Sequence, residues 1–462
     1  MRAVAAACGH RKPGAKERRM STGEYPAGPR GRRLVGNRYD YERDRIAFLR
    51  RCQREYGDVF AFSARASVVT DPVLVHEILV RTNTDFGIEV DLFDDTPSEV
   101  IARETPTAMA GRRKSRPGVN RAAADAHSGR LVDVFHARLD TVLDGRVDVA
   151  AVMKSFVIHA TADYCLGEGS EEIATAVADA AEYSTALMSS SLSLPRWLPV
   201  RAVRSAKAAN SRLSELLHQR IRQRRARPHD TVRDLLDTML RSDGGDLDDE
   251  GVYRTLSVML RASHGVPGTT LAWAVLTLAR EPDVAARIRA EAEALPAGGA
   301  VTAEDLPYNE AVVKELLRAY IPTWLMGREV RTHTTLGRWA FRPGQQVMMP
   351  VFLIHRDPRW WEEPERFDPD RWLGERPPHA RFAYLPFGAG PRICLGNQIG
   401  MLQLVVALAT LVREYEVTVA DPDGVVMRPE ALLIPAGLQA TFTRRDSLTA
   451  ASGSGTGRRG AR

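Results

Sequence analysis

The sequence has few cysteines and no long hydrophobic run. Its four cysteines are Cys8, Cys52, Cys165 and Cys394. They are too few and too scattered for a disulfide framework, so a reducing compartment is expected, and their spacing does not suggest a zinc site. The longest apolar run, residues 399–412, is too short to span a membrane and contains a glutamine. The N-terminus lacks a signal-peptide core. We therefore expect a cytoplasmic protein without a membrane span.

Lysine is also scarce, because arginine outnumbers it 58 to 6. This bias fits a GC-rich bacterial genome better than a functional demand. The net charge of +6 comes from 64 basic and 58 acidic residues, and the arginine-rich ends of the chain inflate it. Nucleic-acid binding, which would need a concentrated basic face, is not indicated.

The sequence predicts one large, mainly α-helical domain with a minor β part. Helical spacing of apolar residues dominates from about 130 to 320, and short strands are predicted near residues 58–70 and after 326. Hydrophobic residues make up 44% of the chain, enough for a sizeable core. Residues 1–30 are expected to form a disordered basic segment, 31–445 the folded domain, and 446–462 a disordered tail.

Cys394 lies in the segment FGAGPRICLG, a glycine-rich turn before a predicted helix. The positive end of the helix dipole and nearby backbone N–H groups would stabilise a thiolate there and suit it to bind a metal. Gly388 and Gly390 would let the backbone approach a flat ligand closely. For such a turn alone, a buried structural cysteine is the commoner interpretation. Cys165 also precedes Leu-Gly but lacks the upstream residues, so it is assigned to packing at a helix end.

This segment resembles the haem-binding signature of the cytochrome P450 family, Phe-x-x-Gly-x-Arg-x-Cys-x-Gly. Every fixed position is matched, by Phe387, Gly390, Arg392, Cys394 and Gly396. The resemblance covers about residues 27–445 and implies the cytochrome P450 fold with haem b, iron protoporphyrin IX, as the cofactor. It makes Cys394 the axial thiolate ligand of the haem iron, where electron donation from sulfur favours O–O cleavage.

A second resemblance lies upstream, in the segment KELLR. Glu315 and Arg318 stand three residues apart on one helical face. In the family such a pair forms a buried triad with a third arginine further along the chain. The segment FDPDRW nominates Arg371, although aspartate and tryptophan on either side of it depart from the family's pattern. Arg366 is the alternative. The implied role of the triad is to brace the haem loop.

The two propionates of a haem need cationic partners, which arginine supplies best. The resemblance assigns this role to Arg392 of the cysteine motif and to Arg328, the family's arginine after the Glu-x-x-Arg helix. Arg116 is the third candidate. The family usually has Trp or His four residues before it, where this chain has Arg112. The basic run from Arg112 to Lys114 fits a solvated surface equally well.

The segment RASHGVPGTTLAW carries Gly265, Pro267 and Gly268 within a predicted long helix, so a break is expected there. In the family this helix crosses the distal face of the haem and widens locally where dioxygen binds. The resemblance puts Thr269 and Thr270 on the family's two threonines, with Thr269 as the proton-delivery residue. Gly268 replaces the family's carboxylate. Protons would then come through water, through the substrate or from a carboxylate elsewhere.

The resemblance implies a soluble monooxygenase acting on a largely apolar small molecule, with terpenoid or polyketide metabolism as the expected setting. Separate proteins, a ferredoxin or flavodoxin with its reductase, would supply electrons. The alternatives are a P450 that catalyses coupling, desaturation or rearrangement, a peroxide-using enzyme, and a non-catalytic haem-thiolate binding protein. Residues 189–200 are expected to belong to the roof of the substrate pocket.

Overall fold

Helices account for most of the described chain, as the apolar spacing predicts. The computed structural model describes residues 23–32, 36–88, 98–189, 201–241, 247–295 and 302–445. The expected tail 446–462, residues 1–22 of the expected N-terminal segment and residues 190–200 of the predicted pocket roof lie outside these ranges. Within the remainder of the N-terminal segment, Glu24 pairs with Trp339 in an isolated β-bridge.

Fifteen α-helices lie within the described residues. They are α1 (Arg38–Arg43), α2 (Arg45–Tyr56), α3 (Pro72–Val80), α4 (Ser98–Ser115), α5 (Arg121–Asp125), α6 (Ser128–Leu139), α7 (Val149–Leu166), α8 (Glu171–Ser189), α9 (Arg201–Ala226), α10 (Leu235–Arg241), α11 (Asp249–Arg280), α12 (Pro282–Glu293), α13 (Pro307–Ala319), α14 (Val351–Ile354) and α15 (Asn397–Glu414). Together with the small sheets they form one mainly α-helical domain, which confirms the predicted fold class.

The strands of the described chain are short and form four small sheets. They are β1 (Val59–Ser63), β2 (Ala66–Val69), β3 (Phe86–Gly87), β4 (Arg146–Asp148), β5 (Met326–Val330), β6 (Thr334–Leu336), β7 (Trp339–Phe341), β8 (Gln346–Met349), β9 (Tyr415–Val419), β10 (Val426–Pro429), β11 (Leu433–Ala436) and β12 (Gln439–Arg444). The largest sheet has the order β1-β2-β8-β5-β3, and only its β2–β8 pair is parallel. The predicted strands near 58–70 and after 326 are confirmed.

Local sequence signals set the ends of several elements. Helix α2 begins after Asp44, whose carboxylate accepts the N–H of Ala47 at 2.9 Å, and it ends at Gly57, whose φ is +87°. An aspartate N-cap satisfies an N–H group that the first turn leaves unpaired, and glycine adopts the positive φ without a Cβ penalty. The hairpin of β1 and β2 follows directly, so the predicted helix-to-hairpin order is present.

The core is built around α7 and α11, which pack against each other. Within the described residues α7 alone has the length and composition to cross a membrane, but 72% of it is buried inside the protein. That burial is typical of a core helix. Helix α11 also packs against α4, α9 and α15.

The break expected near Gly265 to Gly268 is absent, because α11 runs as one helix from Asp249 to Arg280. A proline inside a helix costs about 3 kcal/mol. Every residue from 268 to 277 is buried, so packing of the following turns offsets this cost. Pro267 still removes one N–H donor and leaves the carbonyl of Ser263 without its usual helical partner.

Candidate functional site

The cysteine loop runs from Phe387 to Gly396 and leads into α15. Its ends are joined by a hydrogen bond of 2.9 Å from the N–H of Cys394 to the carbonyl of Phe387. Gly388 and Gly390 have positive φ values of +69° and +72°. A Cβ on Gly390 would lie only 2.2 Å from the carbonyl oxygen of Leu79 in α3. Gly390 is therefore required by both its conformation and the close approach of α3, whereas Gly388 is favoured by its conformation alone.

The two cysteines that share the Leu-Gly sequence occupy opposite environments. Cys165 is completely buried at the end of α7, and burial raises the pKa of its thiol. Cys394 is accessible to solvent. Desolvation by the surrounding protein nevertheless raises the pKa of the Cys394 thiol, while the N–H of Gly396 and the charge of Arg112 act in the opposite direction. The thiol of Cys394 is thus accessible although much protein surrounds it, unlike that of Cys165.

A group of arginines lies beside this loop. Burial, and then the like charge of Arg392, lower the pKa of Arg328 to about 10. Burial also lowers the pKa of Arg392, with further contributions from Arg112 and Arg331. Within the described ranges none of these four arginines forms an ion pair. Half-buried cations that repel one another are stabilised by an anion, so the group is suited to bind one.

Neutral acceptors hold two of these arginines in place. Arg328 Nε donates to Thr82 Oγ1 at 3.0 Å, and Arg328 Nη1 donates to the carbonyl of Gly327 at 2.7 Å. Arg392 Nε donates to Asn83 Oδ1 at 3.0 Å, and Asn83 has a positive φ of +84°. These bonds orient the guanidinium groups without neutralising their charge.

The two arginines of α4 and the following turn lie in different surroundings. Arg112 is half-buried and donates to the carbonyl of Ile393, next to Cys394. Arg116 is exposed in the short 3-10 turn after α4, where its charge helps to lower the pKa of Arg112. The structure therefore brings Arg112, the residue at the family's Trp or His position, directly to the cysteine loop. Arg116 remains exposed at the surface.

The structure brings the predicted triad together around the buried carboxylate of Glu315. Arg318 Nη2 lies 2.8 Å from Glu315 Oε1, and Arg371 Nε lies 3.2 Å from the same oxygen. The exposed fractions of the Glu315, Arg318 and Arg371 side chains are 0%, 0% and 8%. Arg366 instead pairs with Glu363 at the surface, at 3.0 Å. Only its backbone carbonyl joins the cluster, as an acceptor for Arg318.

The two residues that depart from the family's pattern beside Arg371 have partners of their own. Trp372 Nε1 donates to Glu315 Oε2 at 2.9 Å, so the tryptophan adds a neutral donor to the carboxylate. Asp370 forms a two-bond ion pair with Arg287 of α12, at 2.7 and 2.9 Å. Both residues therefore contact the helices packed against this segment, Trp372 through a hydrogen bond to the buried Glu315 and Asp370 through an exposed ion pair.

Helix α11 carries the predicted distal residues in a partly open turn. Residues 264–267 are half-buried, although the next ten residues are buried. Thr270 Oγ1 donates to the carbonyl of Val266 at 3.0 Å within the helix. Thr269 is 1% exposed, and its hydroxyl has no partner among the described residues. A buried hydroxyl without a partner is unfavourable, so Thr269 Oγ1 is available to a ligand or a water molecule.

Gly268 faces α7. A Cβ on Gly268 would lie 2.8 Å from both the Cα and the Cγ of Lys154. The glycine therefore lets the two core helices approach closely, and Lys154 occupies the space that a side chain at 268 would need. The neighbouring His264 is neutral near pH 7, because burial and then the charge of Lys154 lower its pKa to about 4.

Sequence reasoning missed several residues of this site. Thr82, Asn83 and Lys154 belong to segments without a family signature, and they reach the site only through tertiary packing. A local signal exists for Asn83 alone, since asparagine is one of the few residues that adopt a positive φ readily. For Arg112 the signal was its spacing from Arg116, but spacing does not tell which of the two turns inward.

Comparisons with known proteins identify the family of the chain. The sequence model of the cytochrome P450 family matches residues 26–442. Cyclooctat-9-en-7-ol 5-monooxygenase from Streptomyces melanosporofaciens is 30% identical over 321 residues, which cover 66% of this chain and 69% of that protein. Cyclooctatin synthase from the same organism is 31% identical over 51% of this chain and 53% of its own length.

The fold is also shared with solved structures. The retinoic acid-bound cyanobacterial CYP120A1 superposes with a TM-score of 0.76 over 92% of this chain and 100% of that chain, at 19% sequence identity. Such a likeness supports the fold, and the family match carries the assignment. The chain belongs to the cytochrome P450 family and is an oxidoreductase of the monooxygenase class.

Proposed function

We propose that the chain binds haem b through Cys394 and oxidises a small apolar terpenoid with dioxygen. The observation that carries the haem site is a group of half-buried arginines, none of which pairs with a carboxylate among the described residues, beside an accessible cysteine thiol. A thiol donor next to unpaired guanidinium groups matches a cofactor that has one metal and two carboxylates. Arg328, Arg392 and Arg112 would hold the propionates, with Arg116 as a further candidate.

The loop residues would hold the cofactor by shape as well as charge. When bound, haem would supply the redox-active iron for oxygen activation, and the thiolate of Cys394 would donate electron density to it. Gly388 keeps open space above its Cα, so the backbone there leaves room for a flat ligand. The carbonyl of Phe387 accepts the N–H of Cys394, and the N–H of Gly396 would donate to its sulfur.

Thr269 would hold and move protons on the distal side. Its hydroxyl is buried and has no partner among the described residues. It can therefore accept one hydrogen bond and donate another, as a proton relay requires. Thr270 bonds within its own helix and would take no direct part. Gly268 would contribute by letting α7 pack closely, and the carbonyl of Ser263, which Pro267 leaves without its helical donor, would accept a hydrogen bond from water.

The substrate class is supported by the relatives and by apolar contacts in the distal turn. Leu432, between β10 and β11, lies against Gly265 of α11, so an apolar side chain covers the open turn. Trp273 Nε1 anchors this hairpin by donating to the carbonyl of Leu433 at 2.9 Å. The name cyclooctat-9-en-7-ol 5-monooxygenase favours a terpenoid over a polyketide. A ferredoxin or flavodoxin with its reductase would supply electrons in the cytoplasm.

The test combines a ligand screen with product analysis. Cyclic terpenoid hydrocarbons and alcohols are first screened for shifts of the haem spectrum. Those that bind are then incubated with a ferredoxin, its reductase, NADPH and isotope-labelled dioxygen. We expect one labelled oxygen atom in the product. An unlabelled coupled, desaturated or rearranged product, turnover with peroxide alone, or a haem spectrum without turnover would each point to one of the alternative functions.

The ligand assignment has its own test, because the chain contains a matched cysteine. A thiolate opposite carbon monoxide gives the reduced protein the absorption band from which the family takes its name. Cys394→Ser should lose this band, and Cys165→Ser should keep it because Cys165 is completely buried at the end of α7. If Cys165→Ser loses the band and Cys394→Ser keeps it, the assignment of the ligand is wrong.

A further inference from the structure

His355 is a completely buried histidine to which neither the haem signature nor the triad assigns a role. It directly follows α14, and its exposed fraction is 0%. Its ring lies among aromatic side chains, with ring centroids 5.5 Å from Tyr384 and 6.1 Å from Trp361. The Nε2 atom of His355 accepts a hydrogen bond of 2.9 Å from the backbone N–H of Leu385.

This bond is the first of three that lead to the cysteine. The carbonyl of Leu385 accepts the N–H of Gly388 at 3.2 Å, which forms the turn before the loop. The carbonyl of Phe387 then accepts the N–H of Cys394 at 2.9 Å. Anchoring the N–H of Leu385 therefore restrains the backbone from which the loop begins.

The other side of His355 contacts the triad. Its backbone carbonyl accepts a hydrogen bond from Arg318 Nη1 at 3.1 Å, and Arg318 is in turn paired with Glu315. The residue thus joins the triad to the cysteine loop, through its carbonyl on one side and its ring on the other.

The protonation of the ring suits an acceptor role. Burial, and then the charge of Arg318, lower the pKa of His355 to about 3, against the opposing effect of the carbonyls of Leu317 and Arg318. The ring is therefore neutral near pH 7. Because Nε2 accepts, Nδ1 carries the proton, and it faces the carbonyls of Leu317 and Arg318 without reaching ideal hydrogen-bond geometry.

We propose that His355 is a positioning residue whose Nε2 atom holds the start of the cysteine loop at a set distance from the triad. This inference rests on the proposed function, because it takes Cys394 as the haem ligand. The ring of His355 bonds to Leu385 and not to Cys394. It would therefore act on the cysteine through Leu385 and the loop.

Two amide substitutions separate acceptor geometry from polarity. In His355→Gln the side-chain oxygen can reach the position of Nε2, whereas in His355→Asn it is too short to do so. Both variants, with His355→Leu, are purified as holoenzymes and examined as reduced carbon monoxide complexes during mild heating. The Asn and Leu variants should convert from the thiolate band to the blue-shifted neutral-thiol band about tenfold faster than wild type, as expected for one lost hydrogen bond. The Gln variant should resemble wild type.

Amide hydrogen exchange of the folded variants supplies a readout that does not need activity. In the wild-type holoenzyme the N–H of Leu385 should exchange slowly, and His355→Gln should preserve this protection while His355→Asn loses it. Fast exchange of Leu385 in the wild type, or a Leu variant with normal exchange and a stable thiolate band, would overturn the proposal. If the wild type never shows the thiolate band, the proposed function fails instead, and the exchange of Leu385 still tests the role of His355.

Discussion

Arg328 shows most clearly that the residues of this site reduce the stability of the fold. Its half-buried guanidinium is desolvated by the surrounding protein, and this desolvation together with the charge of Arg392 lowers its pKa to about 10. Its hydrogen bonds to Thr82 and Gly327 satisfy donors, but within the described part of the chain no carboxylate balances its charge. A buried charge without a counter-charge destabilises a fold, so such residues persist where a ligand supplies the opposite charge.

Removing either propionate partner should therefore weaken haem retention. In Arg328→Ala or Arg392→Ala one carboxylate of the cofactor loses a charge-assisted hydrogen bond, typically worth about 1.5–3 kcal/mol. Transfer of haem to a haem-free globin measures the loss, and it should be more than tenfold faster than in the wild type. Arg366→Ala is the control, since Arg366 pairs at the surface with Glu363. Equal transfer rates in all four proteins would exclude the propionate roles.

The hydroxyl of Thr269 has a separate, testable role. Thr269→Ala removes the unpartnered hydroxyl from the distal side and should release more hydrogen peroxide and less product for each NADPH consumed. Thr269→Ser keeps the hydroxyl and should restore most of the coupling. Peroxide and product are measured together at saturating substrate. Wild-type coupling in the alanine variant would mean that water or the substrate delivers protons without Thr269.

At the scale of elements, α11 shows how packing overrides local propensity. Gly265, Pro267 and Gly268 all disfavour a helix, yet the helix is continuous. The two glycines have different neighbours. A Cβ on Gly268 would meet the backbone of α7 at Lys154, whereas a Cβ on Gly265 would meet a terminal methyl group of Leu432 at 2.7 Å. Only the second neighbour can move without shifting a helix.

Alanine substitution should separate these two glycines. Gly268→Ala forces α7 and α11 apart, and overpacking of this kind costs about 1–3 kcal/mol, more than the roughly 1 kcal/mol that alanine adds to helix stability. Gly265→Ala should leave stability unchanged or raise it, because the Leu432 side chain can rotate. Thermal unfolding of the two holoenzymes measures the difference. Gly268→Asp should be worse than Gly268→Ala and lose activity, so an active, stable aspartate variant would contradict the packing role.

At the scale of the whole molecule, the site joins segments that are far apart in the chain. Glu315 of α13 accepts hydrogen bonds from Arg318, from Arg371 and Trp372 in the proline-rich stretch, and from the backbone N–H of Asp368. This cluster packs the stretch before the cysteine loop onto the helical core. The loop therefore depends on a buried charge that is distant from it in sequence.

Loss of that charge should affect the whole domain. Glu315→Ala leaves Arg318 buried without a counter-charge, and breaking a buried pair in this way typically costs about 3–5 kcal/mol. We expect mostly haem-free or insoluble protein. Glu310→Ala on the same helix is the control, because its pair with Lys314 is partly exposed and contributes little. Haem content per protein and soluble yield are compared. A well-folded Glu315→Ala holoenzyme would show that the cluster does not support the loop.

The sequence by itself determined the family, the fold class and the cysteine loop, because these depend on residue types at short, invariant spacings. The Phe-x-x-Gly-x-Arg-x-Cys-x-Gly pattern specifies a turn into a helix, and a pair such as Glu315 and Arg318 shares one helical face at any position. Those relations hold between residues close in the sequence, so they can be recognised from the sequence without the structure.

Only the tertiary structure decided which of several equivalent residues face the site. Arg371 rather than Arg366 reaches Glu315, and Arg112 rather than Arg116 contacts the cysteine loop. The continuity of α11 and the anchoring of Leu385 by His355 were equally beyond sequence reasoning. Each of these outcomes depends on packing between segments remote in sequence, where burial and the pairing of every polar group select one arrangement from several that local propensity allows.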